Sequence, residues 1–104
     1  MSLINIKEQN YDELVKEGLV LVDFYADWCG PCKILAPALE ALSNTRDDLK
    51  IIKVNVDEQE DLARRFSVMS VPTLLLYKDN NLLAKRTGFH TLDMLNEWIS
   101  DTVK

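Results

Sequence analysis

Glycine, proline and cysteine are all scarce in this chain of 104 residues, which has three glycines, three prolines and two cysteines. So little glycine and proline leaves no room for a flexible linker or a low-complexity tract. Two cysteines exclude a disulfide-dense scaffold. With a single histidine, His90, they also exclude a four-ligand zinc site within one monomer. Positive charge is short as well. Twelve Lys and Arg against 17 Asp and Glu leave a net charge of −5, which argues against nucleic acid or an anionic membrane as an electrostatic partner. No apolar run approaches the ~20 residues of a membrane span. The longest, LVLVDFYA at 19–26, is strand-sized and holds an aspartate. The opening MSLINIKEQNYDEL has no basic segment followed by an apolar one, so no secretory signal is visible and a cytoplasmic location is the expectation.

What is present is 47% hydrophobic and 28% charged residues, in a length typical of one domain. Residues 1–104 are therefore read as a single domain. Leu3–Ile6 is a weak first strand. YDELVKEG is a short helix, with Leu14 and Val15 toward a core and Gly18 ending it. LVLVDFYA barely alternates, the pattern of a strand covered on both faces. Leu35, Ala38, Leu39 and Leu42 then follow helical spacing, with Pro31 in the first turn and Pro37 inside, where a kink is expected. IIKVNV at 51–56 is the next strand. Asp57 and Glu60 predict a capping box for a helix carrying Leu62 and Phe66. VPTLLLYK follows as a strand with Pro72 at its head, and KDNN turns into LLAKRT as a hairpin. Thr91 caps a last helix with Leu92, Leu95, Ile99 and Val103 on one face. The order (β)αβαβαββα implies an α/β fold, a mixed sheet between two helical layers, with its middle strands parallel.

Cys29-Gly30-Pro31-Cys32 falls at a strand-to-helix junction. Free N–H groups and the helix dipole there favour a thiolate. In such a turn Cys29 is expected to be the exposed, attacking sulfur and Cys32 the tucked, resolving one. By itself the CxxC leaves three readings open: a redox pair, half of a metal site shared between two chains, or chance proximity. Asp23 adds a second signal. It interrupts an apolar strand on the face of Leu21 and Tyr25, six residues before Cys29 and nine before Cys32. A buried carboxyl there should be pushed toward neutrality and is placed to relay a proton to the resolving thiol. Lys53, with Ile51 and Asn55 on its face, reads either as a solvated residue or as a partner for Asp23. Trp28 is expected to be half exposed beside the nucleophile, as part of a docking surface.

WCGPC at 28–32 within DFYADWCGPCK, KVNVDE at 53–58, SVPTLLLYK at 70–78 and Gly88 together resemble the thioredoxin family, over nearly the whole chain. The resemblance implies a mixed five-stranded β-sheet flanked by four α-helices and a general protein dithiol–disulfide oxidoreductase. It makes Cys29 the nucleophile, Cys32 the resolving thiol, and Asp23 and Lys53 the buried pair that serves them. It gives Pro72 a cis peptide bond and has clients dock on Trp28, Gly30, Pro31, Val71, Pro72 and Gly88. It implies no bound cofactor and no metal, with electrons drawn from NADPH through thioredoxin reductase. It further implies a monomer whose clients are disulfide-containing proteins such as ribonucleotide reductase, peroxiredoxins and methionine sulfoxide reductases. Three departures stand out: Tyr25 where tryptophan is common, DNN in the hairpin where glycine is common, and bulky Phe89-His90 after Gly88. His90 is expected to be a solvated loop residue. The alternative function is a binding or scaffold module that uses the same surface without redox turnover.

Overall fold

The apolar run around Asp23 becomes the third strand across a five-stranded sheet, buried along nearly its whole length. The structure, a computed structural model, describes residues 3–6 and 10–104. In chain order the elements are β1 (Leu3–Asn5), α1 (Tyr11–Leu14), β2 (Leu19–Tyr25), α2 (Gly30–Thr45), β3 (Leu49–Asn55), α3 (Glu60–Arg65), β4 (Thr73–Lys78), β5 (Asn81–Thr87) and α4 (Leu92–Thr102). The strands lie in the order β1-β3-β2-β4-β5.

Alternation along the strands sorts the apolar side chains into two cores. Leu19, Leu21, Leu49, Ile51, Leu74 and Leu76 point to one face, where Leu35, Leu39 and Leu42 of α2 and Leu95, Trp98 and Ile99 of α4 cover them. Val20, Val22, Phe24, Ile52, Val54, Leu75 and Tyr77 point to the other, beneath Tyr11, Val15 and Leu62. Full burial of each α2 leucine contributes about 2 kcal/mol at ordinary transfer values. The α2 helix runs through Pro37 as a single element. In the second core the Tyr11 and Tyr77 hydroxyls share a buried 2.8 Å hydrogen bond.

One expectation about strand direction needs correcting. β1 and β2 both pair parallel to β3, but β4 runs antiparallel to β2, so the middle of the sheet is mixed. The connection through α3 brings the chain back to the end where β2 and β3 finish, with Thr73 opposite Phe24, so β4 runs in the opposite direction to β2. The capping box also differs. α3 begins after Gln59, and Asp57 lies in the preceding turn instead of at the cap. Asn55 holds that turn, its Oδ1 accepting from the N–H groups of Asp57 at 2.9 Å and Glu58 at 3.3 Å.

The hairpin behaves as DNN suggests. Asp79 (φ 47) and Asn80 (φ 72) occupy the left-handed region, the requirement of a two-residue turn between twisted strands. Asp79 Oδ1 accepts from Gly18 N–H at 2.9 Å, and Asp79 N–H donates to Gly18 O at 2.9 Å. These two bonds tie the hairpin to the entry of β2. Gly18 itself has φ 78, which explains a glycine at that entry.

Candidate active site

β2 and β3 end side by side, with Tyr25 O accepting from Val56 N–H at 2.9 Å. The chain leaving β2 turns at Ala26–Trp28 and enters α2 at once, so both cysteines sit over the carboxyl ends of these strands. Cys29 is the N-cap of α2. Its backbone is extended, and its Sγ accepts from the Cys32 N–H at 3.1 Å. Gly30 and Pro31 form the first helical positions, where a proline removes no helical hydrogen bond. Cys32 follows one turn along, and the two sulfurs are joined as a disulfide with Cα atoms 5.3 Å apart.

The expected contrast in exposure does not hold. Cys29 is 4% exposed and Cys32 7%, so the attacking position is no more open than the resolving one. Ala26, Tyr25, Val56 and Val71 pack around the pair. The asymmetry lies in their surroundings. Cys29 Sγ is 3.6 Å from Val71 O. A disulfide sulfur carries no proton, so this is a contact in the oxidised form; in the dithiol, Val71 O can accept from the Cys29 thiol. Val71 is joined to Pro72 by a cis peptide bond, and Pro72 O accepts from Gly88 N–H at 2.9 Å. Thr73 Oγ1 donates to Ser70 O at 2.7 Å, which closes the turn before β4. Gly88 has φ 87, a conformation that favours glycine. A Cβ on Gly30 would meet nothing within 4 Å, so packing does not demand glycine there; its absence of a side chain keeps open the surface next to Cys29.

Asp23 lies on the α2 face of β2, between Lys53 of β3 and Leu74 of β4 in register. It is 3% exposed, and among the described residues its Oδ1 has no hydrogen-bond partner. Burial pushes its carboxyl up to about 7, against a smaller opposing pull from the Lys53 charge. On this face α2 packs Leu35, Leu39 and Leu42 into one core with Leu19 and Leu21 of β2. Lys53 is not within ion-pair distance of Asp23. Its Nζ sits 4.6 Å from the centre of the partly buried Tyr25 ring.

Trp28 is 70% exposed, more than expected, and its Nε1 donates to Asp57 Oδ2 at 2.9 Å. Asn55 supports this arrangement from below by bonding the Asp57 and Glu58 amides, and its Nδ2 reaches Asp27 Oδ2 at 3.4 Å. Asn55 and Asp57 are the site residues that sequence reasoning missed. The available signal was a polar residue at the end of an apolar strand, one step before the helix that the capping pattern had claimed. Beside Trp28 a groove of about 150 Å³ is lined by Val56, Val68, Met69, Ser70 and Val71. A larger hollow of about 350 Å³, between Arg86 and α4, contains neither cysteine. The groove reaches the sulfurs through Val71, whose O is 3.6 Å from Cys29 Sγ, and Met69, 93% exposed, borders it.

His90 is a further correction. It is 4% exposed, not solvated; its Nδ1 is 3.0 Å from Gly88 O, and its ring packs against Trp98 with centroids 6.2 Å apart. Trp98 itself turns inward on α4 and makes room for an aromatic neighbour, which the leucine spacing did not reveal. Among the described residues, no group of three or more His, Cys, Asp or Glu side chains is placed to hold a metal ion.

Two sulfurs held within bonding reach at a helix N-terminus can pass two electrons by exchanging one disulfide for another. Exposed Trp28 and Met69 beside them suit a protein substrate. The class so defined is the dithiol–disulfide oxidoreductases. Comparison with known proteins narrows it: the family model described as Thioredoxin matches residues 2–101. The chain is 42% identical over 101 residues to thioredoxin from Bacillus subtilis (strain 168), covering 96% of this chain and 97% of that one. It is 43% identical over 98 residues to thioredoxin from Staphylococcus haemolyticus, covering 93% and 94%. Among solved structures, a mutant thioredoxin from Halobacterium salinarum superposes with a TM-score of 0.89 at 33% identity, over 99% of this chain and 92% of that chain. The chain belongs to the thioredoxin family and acts on protein disulfides by thiol–disulfide exchange.

Proposed function

We propose that this protein is a general reductase of protein disulfides, working in the cytoplasm as a monomeric single domain and recharged by thioredoxin reductase with electrons from NADPH. The observation that carries the reading is the placement of Cys29 Sγ, capped by the Cys32 N–H at 3.1 Å and facing Val71 O at 3.6 Å. The donor that caps the helix through this sulfur is equally a donor to a thiolate. An extended client segment pairing with the Val71 backbone would bring its own disulfide to Cys29. Trp28, Gly30, Pro31, Val71, Pro72 and Gly88 form the docking surface in this reading.

The steps balance as two successive exchanges. The Cys29 thiolate attacks one client sulfur, forming a mixed disulfide and releasing the other client sulfur as a thiolate. Cys32, deprotonated with Asp23 as acceptor, then attacks Cys29 Sγ, and the second client sulfur leaves. Client cysteines gain two electrons, and Cys29–Cys32 becomes the disulfide. A carboxyl near 7 is poised to take and return that proton at neutral pH. Lys53, one strand away, tunes Asp23 by its charge and does not bond to it. No bound cofactor is required, because both electrons reside on the sulfurs. Ribonucleotide reductase, peroxiredoxins and methionine sulfoxide reductases are clients of the right kind, each presenting a cysteine disulfide to be reduced.

Reduction of insulin disulfides driven by dithiothreitol tests the reading. Catalysis that survives Cys29→Ser would end it. Cys32→Ser should trap mixed disulfides with clients, visible on a non-reducing gel; their absence would remove the resolving role.

A further inference from the structure

Gly88 is held at both ends of its backbone. Its N–H donates to Pro72 O at 2.9 Å, and its C=O meets His90 Nδ1 at 3.0 Å. A carbonyl only accepts, so Nδ1 carries the proton in this contact. The histidine has little freedom to leave. It is 4% exposed, and its ring lies tilted 33° to Trp98 of α4. The Gly88 carbonyl belongs to the same planar unit as the Phe89 N–H, and in a trans peptide the two point in opposite directions. Drawing the carbonyl toward a buried ring therefore turns the Phe89 N–H away from the interior. Among the described residues that N–H has no backbone acceptor, and the Phe89 side chain is 43% exposed.

We propose that His90 is a positioning residue for client binding: its Nδ1–H fixes the Gly88–Phe89 peptide, so that the Phe89 N–H and ring face a docked protein segment. The inference rests on the docking surface proposed above and adds a residue outside it. The bond chain runs from His90 through Gly88 to Pro72, whose neighbour Val71 contacts Cys29 Sγ. His90 touches neither sulfur, so its effect falls on binding a protein, while exchange with a small disulfide that needs no docking is spared.

Two substitutions separate the donor from the ring. His90→Phe keeps an aromatic side chain against Trp98 and removes the donor; His90→Asn keeps a donor at the position of Nδ1 and removes the ring. His90→Phe should raise KM for insulin reduction about fivefold, the factor expected for one lost hydrogen bond. Its kcat and its rate with a small aromatic disulfide should stay within about twofold of the unsubstituted protein, and His90→Asn should restore KM. A wild-type KM in His90→Phe, an equal loss in both variants, or a matching loss with the small disulfide would each overturn the positioning role. A second measurement does not depend on activity. Hydrogen exchange at Gly88 N–H should quicken about tenfold in His90→Phe and recover in His90→Asn, because Gly88 is released from the second of the two bonds that hold its backbone. Unchanged exchange refutes the role even if the protein reduces insulin. Failure of the unsubstituted protein to reduce insulin would instead count against the reductase reading.

Discussion

Replacing Asp23 with asparagine should make the stability of the oxidised protein less sensitive to alkali. The carboxyl titrates at 3.8 when unfolded and at about 7 in the folded protein, because burial disfavours its charge. The sign follows from linkage. A carboxyl whose folded value is raised costs stability as pH climbs above 3.8, and the cost levels off above about 7. The gap spans roughly three decades of proton affinity at about 1.4 kcal/mol each, so the full cost is about 4 kcal/mol. At pH 5 less than half of it is present, and at pH 8.5 nearly all. The unsubstituted protein should therefore lose about 2.5 kcal/mol relative to Asp23→Asn between those two pH values. The asparagine NH₂ brings its own burial cost of about 1–3 kcal/mol, which does not vary with pH and drops out of the comparison. Working with the disulfide intact keeps both thiols out of the titration. Urea unfolding at pH 5, 6, 7 and 8.5 reads the effect directly, as a midpoint difference that widens by roughly 1 M or more. If the two proteins differ by the same amount at every pH, Asp23 is not a buried carboxyl of raised affinity, and its role as proton acceptor for Cys32 goes with it.

Substitutions at the Tyr11–Tyr77 pair, Asn80 and Asn55 probe the scaffold. Tyr77→Phe leaves the buried Tyr11 hydroxyl without its 2.8 Å partner and should cost about 1–2 kcal/mol in urea unfolding. The double variant Tyr11→Phe/Tyr77→Phe should cost less than the two single changes combined; strict additivity would show that the bond contributes nothing. Asn80→Ala should cost about 1 kcal/mol in thermal or urea unfolding while Asn80→Gly costs nothing, since φ 72 strains alanine and suits glycine. Asn55→Ala removes the acceptor for two turn amides and should cost about 1–2 kcal/mol in urea unfolding, with a rise in KM for insulin because Asp57 no longer steadies Trp28. An unchanged midpoint would show that solvent satisfies those amides.

Local chemistry was legible wherever one residue type answers one local demand. Apolar runs became strands, leucine spacing became α2 and α4, Thr91 caps α4 by accepting from Met94 N–H at 3.1 Å, and DNN supplied the left-handed turn. The buried state of Asp23 was legible for the same reason, since a charge within an unbroken apolar strand has no polar face to occupy. Legibility failed where two distant segments compete for a group. Asp57 looked like a cap for α3, but Trp28 and Asn55 engage its turn instead. Lys53 left two readings open, a solvated residue or a partner for Asp23, and its amine lies over Tyr25. His90 looked like a solvated loop residue, and its burial depends on Trp98 packing against it from another element.

The sequence alone determined the cysteine pair's place at the start of α2, the buried aspartate within β2 and the count of strands and helices. These follow from the order of residues along the chain, through propensity, spacing and the cost of burying charge. Only the tertiary structure decided that β4 runs antiparallel, that both cysteines are enclosed, that Val71 O lies against Cys29 Sγ, and that Gly88 is held between Pro72 and His90. Those outcomes depend on contacts between residues far apart along the chain. No local pattern encodes such contacts, because they arise only when the packed layers bring the segments together.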